Sequence, residues 1–192
     1  MVSKSNIVAS YIYITKNGRE IEYFELEEFK HFLYNRHKTQ DGILQKFIDS
    51  KGRRNSAIQM VWTPHICIFE MRENQNDLYD QRLNLYERVI TYEGDQHQSQ
   101  IKPFKSMELR SFMQEVGEAL VEHFSIISEG QSKPTRKVLV FKKDPLNRPW
   151  LLLCTSIRCS SVSPINISCN TKFPSVINVK RTASNPRNLL NA

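Results

Sequence analysis

Glycine is scarce in this chain, six residues in 192, and the shortage excludes a class of chemistry at once. Phosphate cradles of the G-x-x-x-x-G-K or G-x-G-x-x-G type need closely spaced glycines, and neither pattern occurs; nor does a G-x-S-x-G elbow or an H-E-x-x-H pair. Cysteine is rarer still, with four residues. Cys67, Cys154, Cys159 and Cys169 form no paired C-x-x-C set with histidines at zinc spacing, so no metal site and no cofactor is expected. Nowhere do 18 consecutive apolar residues occur, and Met1 to Ser10 lacks the apolar run of a signal peptide. The expected setting is cytosolic, nuclear or cytoskeletal with reduced thiols, without membrane contact. Cys67 and Cys154 lie in apolar stretches, where a thiol serves as a small buried hydrophobe rather than a nucleophile.

Acidic residues run out before the chain does. All 20 lie at or before Asp144, whereas the stretch after Ser160 holds Lys172, Lys180, Arg181 and Arg187, four of the seven net positive charges. The remainder, with 23 basic and 20 acidic residues, is only mildly basic. Its charges are interleaved, which reads as a solvated mixed surface and makes nucleic acid an unlikely partner. With 40% apolar residues the chain can bury a core without disulfide staples.

The elements predicted from pattern are these. Tyr11–Thr15 and Glu20–Phe24 flank Asn17-Gly18, a hairpin signal. Leu26, Phe29, Phe32 and Leu33 have helical spacing, with acids in the first turn and Arg36, His37 and Lys38 at the end. A second short helix is expected to start at Thr39 or Asp41, bury Ile43, Leu44, Phe47 and Ile48, and end at Gly52. Ile58 to Glu70 reads as two strand pieces broken at Pro64. Residues 74–94 are mixed: Leu78, Leu85 and Val89 suit a helix, and Arg88 to Tyr92 suit a strand. A long helix over about 106–129 carries Leu109, Phe112, Met113, Val116, Leu120, Phe124 and Ile127 on one stripe, with Ser106 as cap and Gly130 as stop. Lys137–Phe141 and Trp150–Cys154 form a hairpin across a Pro-rich turn, and the apolar second strand suggests the middle of a sheet.

The fold class is therefore α+β: a mostly antiparallel sheet built from hairpins, packed by one long helix (about 106–129) and two shorter ones. Residues 1–10 are read as a flexible start, 11–159 as a single α+β domain, and 160–192 as a basic, disordered tail.

For chemistry, the sequence offers little. His31 and His123 fall within predicted helices, as exposed or core-edge side chains, and no nucleophile or carboxylate is tied to any of the five histidines. Glu25, Glu27 and Glu28 cluster at a helix start, where the macrodipole accounts for them. Tyr11, Tyr13, Tyr23, Phe24, Trp62, Phe69, Phe141 and Trp150 would make a base-stacking platform if they lay on an open sheet, but no RNP-like string accompanies them and core packing is expected. The catalytic set is accordingly empty. One cluster stands out as a partner surface for acidic proteins: Lys51, Arg53 and Arg54, with Arg136 and Lys137.

Five ordered strings carry a resemblance. Asn17-Gly-Arg-Glu20, the run from His37 to Phe47, Val61 to Cys67, Leu85 to Gly94, and Val138 to Pro145 continuing to Ser156-Ile-Arg158 together resemble the N-terminal module of a eukaryotic family associated with cilia and sperm flagella. The resemblance spans residues 11 to 158 and brings no catalytic residues with it. It implies a non-enzymatic structural or adaptor component of an axoneme or related cytoskeletal assembly, with tubulin or axonemal subunits as protein partners and a cytoplasmic or axonemal location. The alternative is a nucleic-acid-binding module using strand aromatics and the basic tail.

Overall fold

A computed structural model describes residues 4–16, 18–161 and 177–178. These residues form an α+β fold that groups into two compact units, each with its own core.

The first unit takes in residues up to Asn55, then Asn74–Ser99, and a short late strand. Strand β1 (Ile7–Thr15) and strand β2 (Gly18–Glu25) pair antiparallel from Ile7↔Glu25 to Thr15↔Gly18, so the hairpin starts four residues before the expected Tyr11. Gly18 closes it at φ +122°, a conformation only glycine adopts without strain. Helix α1 (Leu26–Tyr34) follows directly. Its Phe32 packs with Ala9, Tyr11, Tyr13 and Phe24 in an aromatic core, where Tyr11 and Phe32 ring centroids are 4.9 Å apart.

The second short helix expected over 39–52 is instead strand β3 (Gly42–Lys46), antiparallel to β1 with Ile43 opposite Ile12 and Leu44 opposite Tyr11. Its apolar spacing suits either period, and pairing with an existing edge decides the outcome. Gly42 permits it, because a Cβ there would sit 2.6 Å from the Ile12 carbonyl oxygen. Strand β9 (Ile177–Asn178) lies parallel to β2, giving the order β3-β1-β2-β9. A second cluster of this unit joins Ile7, Phe47, Leu78 and Val89.

Helix α2 (Leu85–Val89) starts where Asn84 accepts the Glu87 N–H at 2.8 Å and Glu87 accepts the Asn84 N–H at 3.2 Å. That reciprocal cap fixes the helical alternative, and the strand expected over Arg88 to Tyr92 does not form.

The second unit is built on strands β4 (Arg54–Trp62), β5 (Cys67–Asp77), β6 (Ser99–Lys102), β7 (Ser132–Lys143) and β8 (Pro149–Ser161), in the order β6-β5-β4-β7-β8. The two strand pieces around Pro64 are β4 and the start of β5, joined by the turn in which the Thr63 N–H donates to the Ile66 carbonyl at 3.0 Å. Helix α3 (Met107–Ile127) is the long helix, capped by Ser106 Oγ accepting the Leu109 N–H at 3.3 Å. It ends at Ile127, and past it Gly130 turns the chain at φ +73°, its N–H donating to the Ser125 carbonyl at 2.8 Å. Leu109 and Met113 pack with Ile58, Met60 and Trp62 of β4 and with Leu139 and Phe141 of β7.

The β7–β8 hairpin corrects one expectation. Only β7 is interior; β8 ends the described sheet order, and Trp150, Leu151 and Cys154 are exposed. The expected tail from 160 begins on this strand and otherwise, apart from β9, lies outside the described residues. No helix among the described residues is long and apolar enough to cross a membrane.

Candidate functional site

Between β3 and β4 the chain makes a short basic loop on a built foundation. Ser50 Oγ donates to Asn55 Oδ1 at 2.9 Å, and the Asn55 amide donates to the Val89 carbonyl. Gly52 turns the chain at φ +111°. The Arg53 carbonyl accepts the Leu78 N–H at 2.7 Å, and Arg53 Nε contacts Asp77 at 2.7 Å. Asp77 in turn accepts the Tyr79 N–H, and that bond, with the Arg53 guanidinium behind it, holds its carboxyl below the usual carboxylate range. The result is a held loop with Lys51, Arg53 and Arg54 exposed, as the sequence placed them.

Arg136 and Lys137 belong to the second unit, on β7. Arg136 is half-buried. Lys137 is 2% exposed, and its assignment to a partner surface is corrected. Strand alternation puts residue 137 on the face of Leu139 and Phe141, against α3. Its ammonium donates to the Gly117 carbonyl within the helix and sits 3.9 Å above the Trp62 ring centroid. Burial lowers its pKa from 10.5 to about 8, partly opposed by the Cys154 and Cys67 thiols and the Glu118 carboxylate. Gly117 makes this approach possible, since a Cβ there would lie 2.8 Å from Trp62 Cδ1.

Two polar features of the first unit were not legible as sites. Tyr13 O–H lies 2.8 Å from Glu20 Oε2 and 2.6 Å from Glu22 Oε1, and Arg36 binds Glu22 through both terminal nitrogens at 2.5 and 3.0 Å. Burial and these carboxylates push the Tyr13 phenol far above its ordinary pKa of 10. The second feature is a cleft of about 540 Å³ at the Ile7–Glu25 end of the β1–β2 ladder. Val8, Leu26, Leu83 and Leu85 give it apolar walls, and Glu25, Glu27 and Glu28 an acidic rim. Arg88, 2% exposed, also lines it. Its terminal nitrogens donate to the Ser5 and Leu78 carbonyls at 3.2 and 3.0 Å and to Glu25 at 2.6 Å, while Nε has no acceptor among the described residues. The volume is in the range of ligand sites. The sequence signal was Glu25, Glu27 and Glu28, which the helix dipole explained without reference to α2.

All five histidines are exposed, and among the described residues no three His, Cys, Asp or Glu side chains converge on a metal position. Cys67 and Cys159 are half-buried, and Cys154 is exposed rather than buried as expected. Of the eight aromatics considered for base stacking, only Trp150 is exposed. No family model matches the chain, and neither a curated protein nor a solved structure matches it.

Proposed function

We propose that this chain is a non-enzymatic structural or adaptor protein of a ciliary or flagellar axoneme, or of a related cytoskeletal assembly, working through protein–protein contacts. The observation that carries the contact mode is the held loop of Lys51, Arg53 and Arg54. Three exposed cations on a hydrogen-bonded base attract acidic surfaces at long range and lose little conformational freedom on contact. The ciliary setting rests on the resemblance of residues 11 to 158 described above. Single-strand nucleic-acid binding is less well supported, because seven of its eight candidate stacking rings are buried or half-buried.

Co-sedimentation with microtubules or axonemal extract over a salt series tests this reading. The wild-type chain is expected in the pellet at low salt and progressively in the supernatant as salt screens the attraction. The triple variant Lys51→Glu, Arg53→Glu, Arg54→Glu is expected in the supernatant throughout. A wild-type chain that never pellets, or a variant that pellets equally, defeats the proposal.

A further inference from the structure

The cleft bounded by Glu25, Glu27, Glu28 and Arg88 has an occupant within reach in the same chain. Strand β9 runs parallel to β2 with Arg19 opposite Ile177 and Glu20 opposite Asn178. The backbone therefore leaves Asn178 heading toward Glu25, the end of β2 that lines the cleft. Glu20 to Glu25 is about 17 Å at strand rise. The fourteen residues 179–192 can extend to roughly 46 Å, so the cleft lies well inside their range.

Their chemistry is complementary to it. Residues 179–192 contain Lys180, Arg181 and Arg187 and no acid, followed by Leu189 and Leu190. The cleft is lined by three carboxylates and four aliphatic side chains; Glu25 pairs with Arg88 at 2.6 Å and Glu27 with Lys30 at 2.8 Å, which leaves a balance of one negative charge. Arg88 Nε is buried and has no acceptor among the described residues, and leaving such a donor unmet is costly.

We propose that the segment 179–192 docks in this cleft as a tethered ligand, its cations on the glutamate rim and Leu189 or Leu190 among Val8, Leu26, Leu83 and Leu85. Tethering gives the segment a high effective concentration, so a competing basic, leucine-bearing peptide from another protein enters only by displacing it. This inference is independent of the basic loop and of any cytoskeletal role.

The test uses the full chain with a photo-crosslinking benzoylphenylalanine in place of Leu189. Isotope-labelled and unlabelled protein are mixed before irradiation, and crosslinks are mapped by mass spectrometry. Expected are crosslinks within one molecule to peptides carrying Leu26, Leu83 or Leu85. They should fall several-fold in the double variant Leu26→Asp, Glu27→Lys, whose positions are exposed and whose folding is checked by thermal unfolding. Crosslinks scattered without preference for the cleft, crosslinks unchanged in the double variant, or crosslinks only between labelled and unlabelled copies would each overturn the proposal.

Discussion

Replacing Lys137 with methionine should make the protein more stable at neutral pH. The side chain is 2% exposed, and among the described residues no carboxylate bonds to its ammonium; its hydrogen bond goes to a neutral carbonyl. The fall in pKa from 10.5 to about 8 converts, at about 1.36 kcal/mol per pH unit, to roughly 3 kcal/mol of penalty on the charged form. The Trp62 face and the Gly117 carbonyl return part of what removal from water costs, about 0.5–2 kcal/mol for a desolvated cation over a ring. Methionine keeps an unbranched chain of similar length without the charge, so Lys137→Met should gain about 1–3 kcal/mol near pH 7 in denaturant titrations.

The pH profile separates this mechanism from simple repacking. Below pH about 8 both folded and unfolded lysine are protonated, and the penalty is constant. Between about 8 and 10.5 the folded state has released its proton while the unfolded state retains it, so wild-type stability rises with pH and the advantage of the variant shrinks. A variant less stable than wild type near neutrality, with a difference that does not change up to about pH 10, would refute the reasoning and make the buried ammonium a structural anchor.

Asp144 organises the β7–β8 turn by accepting the Leu146 and Arg148 N–H groups at 2.9 and 2.8 Å and the Arg148 Nε and Trp150 Nε1 at 2.7 and 3.1 Å. Burial raises its pKa but these bonds outweigh it, and the net shift is downward. Its stabilisation is therefore present above the ordinary carboxylate pKa of 3.8 and lost as pH falls through the lower folded value. Asp144→Ala should cost about 2–4 kcal/mol at neutral pH and remove that acid limb, measured by urea titration at several pH values. Gly117→Ala adds helix propensity worth about 1 kcal/mol but forces a methyl against Trp62 and Met60, so a net loss of about 1 kcal/mol is expected; a rise in melting temperature would contradict the packing. Asn74 is fully buried, donating to the Glu87 and Ile90 carbonyls at 3.0 and 2.8 Å and accepting the Asn76 N–H at 2.7 Å. Asn74→Ala should lower stability by about 2–4 kcal/mol in thermal unfolding, and a change under half a kcal/mol would mean water replaces the amide. Tyr13 and Tyr23, both raised above their ordinary pKa by burial first, should ionise only as the chain unfolds in alkali, read by near-ultraviolet absorbance; ionisation without loss of circular dichroism would contradict the burial.

What the sequence determined by itself are the elements whose signals are local. The β1–β2 hairpin needs only alternation and a glycine at its turn, and α3 needs only a long apolar stripe, a serine cap and a terminal glycine, all within a few residues of where they act. The basic loop belongs here too: Lys51, Arg53 and Arg54 flank the turn glycine Gly52 and are exposed.

Tertiary structure decided the rest, for reasons that pattern cannot carry. Ile43 and Leu44 suit either a helix or a strand, and the strand forms because β1 offers an edge and Gly42 lets it approach Tyr11. Lys137 reads as surface charge until α3 supplies a carbonyl and β4 an indole from far along the chain. The apolar β8 looks like a central strand, yet its place in the order depends on which neighbours pair with it. The glutamate cleft is the clearest case: its rim comes from the start of α1 and its far wall from Gln81 to Arg88, and only the folding that seats Arg88 beside Glu25 and Ser5 brings them together.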